Sequence, residues 1–155
     1  MPAMRTPCDR PHAARVAVVG PGSLGSVLAV RLALGGCRVT VLDRRADRAG
    51  RIARDGLDLL SGDERLHATV EATADPRALA AADLVFVCVK CPALTGVGRA
   101  LATVDGGLRI VAIQNGVGVL DALRDGLGGA AKRHVLVRAV TYQAASPAAD
   151  GTVRH

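Results

Sequence analysis

The sequence predicts a doubly wound α/β fold on a mainly parallel sheet, and three observations carry that prediction. Short β-branched runs alternate with stretches of helical periodicity along most of the 155 residues. One run, Leu84–Val89, is almost wholly apolar, as a parallel strand covered on both faces should be. The first run, Arg15–Val19, opens directly into Gly20-Pro21-Gly22-Ser23-Leu24-Gly25 and then into an apolar helical pattern. Alone, Gly-x-Gly-x-x-Gly is a weak signal. Set between a strand and a helix, with an acid about 20 residues on, it is the dinucleotide-binding fingerprint of Rossmann-like folds. Asp43 is that acid, closing the run Arg38–Leu42.

The elements follow in order. After the strand Arg15–Val19 a helix covers Ser23–Leu34, with Leu24, Val27, Leu28, Arg31, Leu32 and Leu34 on its expected buried face. Gly35-Gly36 ends it. A second strand spans Cys37–Leu42, and a basic helix Ala46–Arg54 follows. The rhythm then breaks. Residues 57–70 read as two strands joined at Ser61-Gly62-Asp63. A short helix starts near Pro76, and the strand Leu84–Val89 follows. A helix Pro92–Ala102 leads to the strand Arg109–Ile113, and Gln114-Asn115-Gly116 turns the chain into a helix Val119–Leu127. The last clear strand is His134–Val140, and 151–155 is strand-like. Residues 1–14 carry proline and charge without an apolar run, so they read as a frayed tail rather than a signal peptide, and 15–155 as the dinucleotide-binding domain.

Composition narrows the function. Half of the residues are hydrophobic, with one Phe, one Tyr and no Trp, so Val, Leu, Ile and Ala build the core. The net charge is +6, carried by arginine except at Lys90 and Lys132. The arginines are scattered and aromatics for base stacking are nearly absent, so nucleic acid is not the expected partner. No segment has the apolar length of a membrane span. Of the cysteines Cys8, Cys37, Cys88 and Cys91, the last two spell C-x-x-C. They span the end of a buried strand rather than open a helix, and no second pair has ligand spacing. Ordinary buried thiols, no metal and a reduced, cytoplasmic setting are expected.

Separate physical jobs are expected of the glycines. Gly20 turns the chain out of the strand, Gly22 lets the backbone approach a pyrophosphate, and Gly25 lets helix and sheet close up. Pro21 lies between them, and the N–H groups around Ser23 and Leu24 point at the phosphates. In a parallel sheet this loop converges with Lys90, which closes its strand, and with Asn115 in its turn.

These residues resemble a family. The chain is similar to the N-terminal domain of ketopantoate reductases (2-dehydropantoate 2-reductases) over about residues 14–155. The likeness rests on Gly20–Gly25, the strand ending in Val89-Lys90, Gln114-Asn115-Gly116-Val117-Gly118, and 140–145 (Val-Thr-Tyr-Gln-Ala-Ala) followed by 151–155. It implies NADPH-dependent reduction of 2-dehydropantoate, a small 2-oxo acid, to pantoate, on the way to pantothenate and coenzyme A. Lys90 and Asn115 would contact the nicotinamide ribose and the substrate, and Ala145 would line the cofactor site. The residue after the second strand would read the adenosine 2′-phosphate. Here Asp43 speaks for NAD, and Arg44 and Arg45 for NADP, so NADP is expected with NAD open. The family's second, helical domain supplies a catalytic lysine. Lys132 does not match it, so no catalytic residue is assigned, the C-terminal helical domain is expected to be absent, and a fragment awaiting that half or a homodimer partner is the expectation. A stand-alone nucleotide-sensing module, or the cofactor domain of another 2-oxoacid or opine-type dehydrogenase, stands as the alternative.

Overall fold

The computed structural model describes residues 13–148 and 152–155. Its elements are β1 (Arg15–Val19), α1 (Ser23–Leu34), β2 (Arg38–Leu42), α2 (Ala46–Asp55), β3 (Leu57–Ser61), β4 (Glu64–Ala68) and β5 (Glu71–Thr73). Then come β6 (Leu84–Val87), α3 (Leu94–Leu101), β7 (Arg109–Ala112), α4 (Val119–Leu127), β8 (Val135–Arg138), β9 (Ser146–Pro147) and β10 (Val153–Arg154). Short 3₁₀ turns occupy Pro76–Ala81, Cys91–Ala93 and Gly128–Arg133. Most of the expected tail lies outside the described residues.

Six strands form one sheet in the order β5-β2-β1-β6-β7-β8, and every pairing in it is parallel. That is the 3-2-1-4-5-6 order of the Rossmann fold, with the strand order reversing between β1 and β6. Alternation along β1 explains why both faces are buried. Ala17 and Val19 face a core with Leu94, Leu101, Leu123 and Leu127 of α3 and α4. Val18 faces the opposite core, with Val27 and Val30 of α1 and Ile52 of α2.

A second sheet, β4-β3-β10-β9, lies over α1. The expected hairpin is present, β3 and β4 pairing antiparallel around Gly62, which takes φ +59°. The C-terminal residues add β10 parallel to β3, and β9 pairs antiparallel with β10. Helix α1 is thereby sandwiched between sheets, which corrects its expected face. Gly25, Ser26, Val27, Ala29 and Val30 are the buried residues, whereas Leu34 is 53% exposed. An amphipathic stripe is the wrong expectation for a helix covered on two sides.

Other boundaries shift. The strand expected to run to Val89 stops at Val87, so Lys90 stands in the loop beyond it and caps the Cys91–Ala93 turn. The helix expected from Pro92 starts as that 3₁₀ turn and becomes α-helical at Leu94. Strand β5 has no forerunner in the sequence reading. Helices α3 and α4 meet through glycine: a Cβ on Gly98 would lie 2.6 Å from the Leu123 carbonyl oxygen, and one on Gly126 would collide with that of Thr95. His134, buried ahead of β8, accepts a hydrogen bond from the Leu108 N–H at Nδ1, 3.0 Å away. Its ring is therefore the neutral Nε2-H tautomer. Desolvation, aided by Arg133, holds its pKa below the ordinary value.

Two predictions follow from this packing. Gly126→Ala will destabilise the fold by about 1–3 kcal/mol by overpacking the α3–α4 crossing. Gly50→Ala, in α2 with open space around it, will stabilise by roughly 0.5–1 kcal/mol. Urea titration of both variants checks the pair. For His134 the folded-state pKa is depressed, so the unfolded chain takes up a proton first as pH falls. The histidine's contribution is whole above about pH 6.5 and is lost as pH drops toward the depressed value. His134→Ala will cost about 1–3 kcal/mol near pH 7, by orphaning the Leu108 N–H. The difference from the parent chain will shrink toward pH 5.

Candidate functional site

The carboxyl ends of the parallel strands are knitted together by the loops that leave them. Gly20 N–H donates to the Leu42 carbonyl at 3.0 Å, Cys88 N–H to that of Val19 at 2.8 Å, and Asp43 N–H to that of Thr73 at 3.0 Å. Each glycine of the first loop has a distinct environment. Gly20 takes φ +88°, and a Cβ there would lie 2.5 Å from Val89 Cγ1, so the loops after β1 and β6 touch. A Cβ on Gly25 would collide with the Gly20 carbonyl oxygen and sit 3.2 Å from Cys88 Cβ. Gly22 is the opposite case: it is exposed, and nothing lies within 4 Å of where its Cβ would be. It is the N-cap of α1, with no side-chain cap and no acid in the first turn. The half-buried Ser23 and Leu24 open that turn. The positive end of the helix is thus left to solvent.

Pro21 orients this loop. It is buried, and its carbonyl accepts hydrogen bonds from Ser26 Oγ at 3.4 Å and from Arg48 Nη2. In a trans peptide C=O and N–H point opposite ways. With its carbonyl held inward, the Pro21–Gly22 unit turns the Gly22 N–H away from those groups.

At the end of β2 the charges sort themselves. The Asp43 carboxylate is buried, its side chain 7% exposed, with Oδ1 accepting from Arg45 N–H at 3.1 Å and Oδ2 3.3 Å from Arg48 Nε. Arg45 pairs outward with Asp47 at 2.8 Å. Asp43 is thus matched by Arg48 and Asp47 by Arg45, which leaves the exposed Arg44 as the uncompensated charge among these five residues. The role of Arg48 could not be read from a basic, amphipathic helix, where an arginine looks like a solvated face.

Across the strand-order reversal, Lys90 is exposed on the loop after β6, and Asn115 is exposed on the loop after β7. Asn115 Nδ2 donates to the Thr141 carbonyl at 3.3 Å, which ties the β7 loop to the segment after β8. Its neighbour Gln114, named in the sequence only as part of a turn, is buried, and its Nε2 donates to the Val87 and Val89 carbonyls at 2.8 Å each. Gln114 therefore clamps the strand end that presents Lys90. Ala145, just before β9, is half-buried and packs on the cluster of Val27, Val30 and Val153. Lys132 lies in the turn ahead of β8, at the amino ends of the strands and so at the opposite edge of the sheet.

The C-x-x-C pair departs in part from its expected burial. Cys91 is exposed and opens the 3₁₀ turn, whereas burial pushes the Cys88 thiol up to about 12, far from the range of a reactive thiolate. Among the described residues no group of three or more His, Cys, Asp and Glu could hold a metal ion, and no helix is long and apolar enough to cross a membrane.

The open N-terminus of α1 and the loops that carry Arg44, Lys90 and Asn115 all follow the carboxyl ends of parallel strands, the end of such a sheet at which phosphate-bearing ligands bind. Comparison with known proteins gives the family. The ketopantoate reductase family PanE/ApbA matches residues 16–155. A 2-dehydropantoate 2-reductase of Halobacterium salinarum is 37% identical over 142 residues, which cover 91% of this chain and 46% of that protein. The crystal structure of a PanE/ApbA family ketopantoate reductase from Ralstonia eutropha JMP134 superposes with a TM-score of 0.78 at 31% identity, over 91% of this chain and 46% of that one. A D-mandelate dehydrogenase bound to NADH and anilino(oxo)acetate superposes at 0.75 over 90% of this chain and 45% of that one, but at 18% identity it shares the fold alone. The chain spans just under half the length of such relatives.

The sharpest structural demand of the site falls on Gly25. Gly25→Ala will destabilise the chain by about 1–3 kcal/mol, because a backbone carbonyl fills the place its methyl group needs. A denaturation midpoint unchanged from the parent chain would contradict that contact.

Proposed function

Because this chain belongs to the ketopantoate reductase family PanE/ApbA, we propose that it is the NADPH-binding half of a 2-dehydropantoate 2-reductase. In that reading the whole enzyme reduces 2-dehydropantoate to pantoate, a step toward pantothenate. The observation that carries it is that the open Gly22 loop, Lys90 and Asn115 follow the carboxyl ends of the neighbouring strands β1, β6 and β7, beside the reversal of strand order. The residues fit a dinucleotide. Gly22 leaves room for a pyrophosphate against the start of α1, where free N–H groups and the helix dipole favour anions. Arg44 is the exposed, unmatched charge at the end of β2 and would take the adenosine 2′-phosphate, whereas Asp43 is shut away from a ribose. Lys90 and Asn115 would hold the nicotinamide ribose and the 2-oxo acid, and Ala145 would border the cofactor.

When bound, the nicotinamide supplies a hydride to the carbonyl carbon of the substrate. The chain's own groups bind and orient. A lysine ammonium beside the 2-oxo group favours charge developing on its oxygen, and the Gln114 clamp fixes the loop that carries it. By the family resemblance, protonation of that oxygen would fall to a lysine of the helical half, and Lys132, at the amino ends of the strands, is not placed to take that part.

Titration of the purified chain with NADPH and NADH, followed by nucleotide fluorescence, tests the reading. NADPH is expected to bind in the micromolar range and more tightly than NADH. Arg44→Ala will weaken NADPH on the order of tenfold with little effect on NADH. Gly22→Ala will leave stability within about 0.5 kcal/mol, since its methyl group meets nothing in the free chain, but will weaken both nucleotides. A folded chain that binds neither nucleotide, or prefers NADH, overturns the assignment.

A further inference from the structure

The fingerprint acid and the residue that silences it stand five positions apart. Asp43 occupies the place where an acidic side chain takes ribose hydroxyls and repels a 2′-phosphate. In this chain its Oδ2 faces Arg48 Nε at 3.3 Å, and the same guanidinium donates through Nη2 to the Pro21 carbonyl of the glycine loop. The carboxylate is buried while Arg48 is 39% exposed, and one cation on the first turn of α2 is shared between the acid and the glycine loop. Arg45 cannot substitute, because its guanidinium is turned out to Asp47.

We infer that Arg48 is a specificity-determining residue: by neutralising and covering Asp43 it turns an NAD-type acidic end of β2 into one that accepts a 2′-phosphorylated dinucleotide at Arg44. The inference rests on the dinucleotide reading above. Its physical content is a charge argument. Without Arg48 the carboxylate is uncompensated close to where a dianionic phosphate would sit, and it is free to reach for a ribose hydroxyl. NADPH then loses and NADH does not lose in proportion. Arg48 also braces the Pro21 carbonyl, and that second role bears on both nucleotides alike. The ratio of the two affinities therefore separates the roles.

The experiment compares the parent chain, Arg48→Gln, Arg48→Lys and the double variant Asp43→Asn with Arg48→Gln, each titrated with NADPH and with NADH at fixed ionic strength. Arg48→Gln is expected to lower the NADPH-to-NADH preference on the order of tenfold, the scale of one nearby uncompensated charge. Arg48→Lys retains most of the preference. The double variant regains it, because no anion is left to screen. If Arg48→Gln does not fold, the double variant still decides: a preference kept near that of the parent chain supports screening, and a lost one overturns it. Equal weakening of both nucleotides by Arg48→Gln, with no recovery in the double variant, would reduce Arg48 to a brace of the loop. A parent chain that binds neither nucleotide removes the dinucleotide reading and this inference together, an outcome distinct from a flat preference in a chain that binds NADPH.

Discussion

The close approach of α1 to the seam between β1 and β6 is the constraint on which the other features depend. A helix can follow a parallel strand this tightly only where no Cβ intervenes, and Gly25 lies against the Gly20 carbonyl while Gly20 lies against Val89. Seating α1 there brings Ser26 under the Pro21 carbonyl and drives Val27, Ala29 and Val30 into the core. Fully burying each valine contributes about 1.5–3 kcal/mol, so packing energy from the middle of the helix holds its uncapped first turn in place. The open end of α1 is stable because the rest of the helix is covered by two sheets, not because its own terminus is satisfied.

Much of the fold was legible because its long elements have periods. The boundaries of β1 and α1, and the hairpin at Gly62, follow from alternation and glycine alone. Strand β5 was not legible: Glu71-Ala72-Thr73 is too short to show alternation and becomes a strand by pairing with Thr40–Leu42. The strand-like end expected at 151–155 is borne out by β10, which lies on the edge of β3, whereas β9 was not legible and exists because β10 offers it an edge. The stripe predicted for α1 failed for a related reason, since its outer side is covered by a sheet assembled from distant segments.

The site divides along the same line. Glycines declare themselves, since their positions and spacing encode backbone geometry. Side chains that act on backbone carbonyls do not. Gln114 reads as part of a turn and of the family motif, and Arg48 as positive field on a basic helix or a solvated face, yet each fixes a loop by bonding carbonyls far away in sequence. Lys90 stands out for its rarity in an arginine-rich chain, but the strand before it ends two residues earlier than expected, at Val87 rather than Val89, because an apolar run does not announce where the ladder stops.

Net charge, taken alone, says little here, and the ion pairs show why. Arg15 pairs with Asp83, Arg54 with Asp55, Arg77 with Asp75 and Arg124 with Asp121, all with both partners substantially exposed. Such solvent-screened pairs cancel the local field more than they stabilise anything. Arg48 and Asp43 differ because the acid is buried. Removing one partner of a desolvated pair strands the other, at a cost of several kcal/mol in typical cases. Burial of the acid is what makes this pair sensitive. The net charge of +6 thus says less than the arrangement of the charges: between Asp43 and Arg48 one acid is buried beside an arginine, a second acid is paired outward, and Arg44 is left exposed and unmatched.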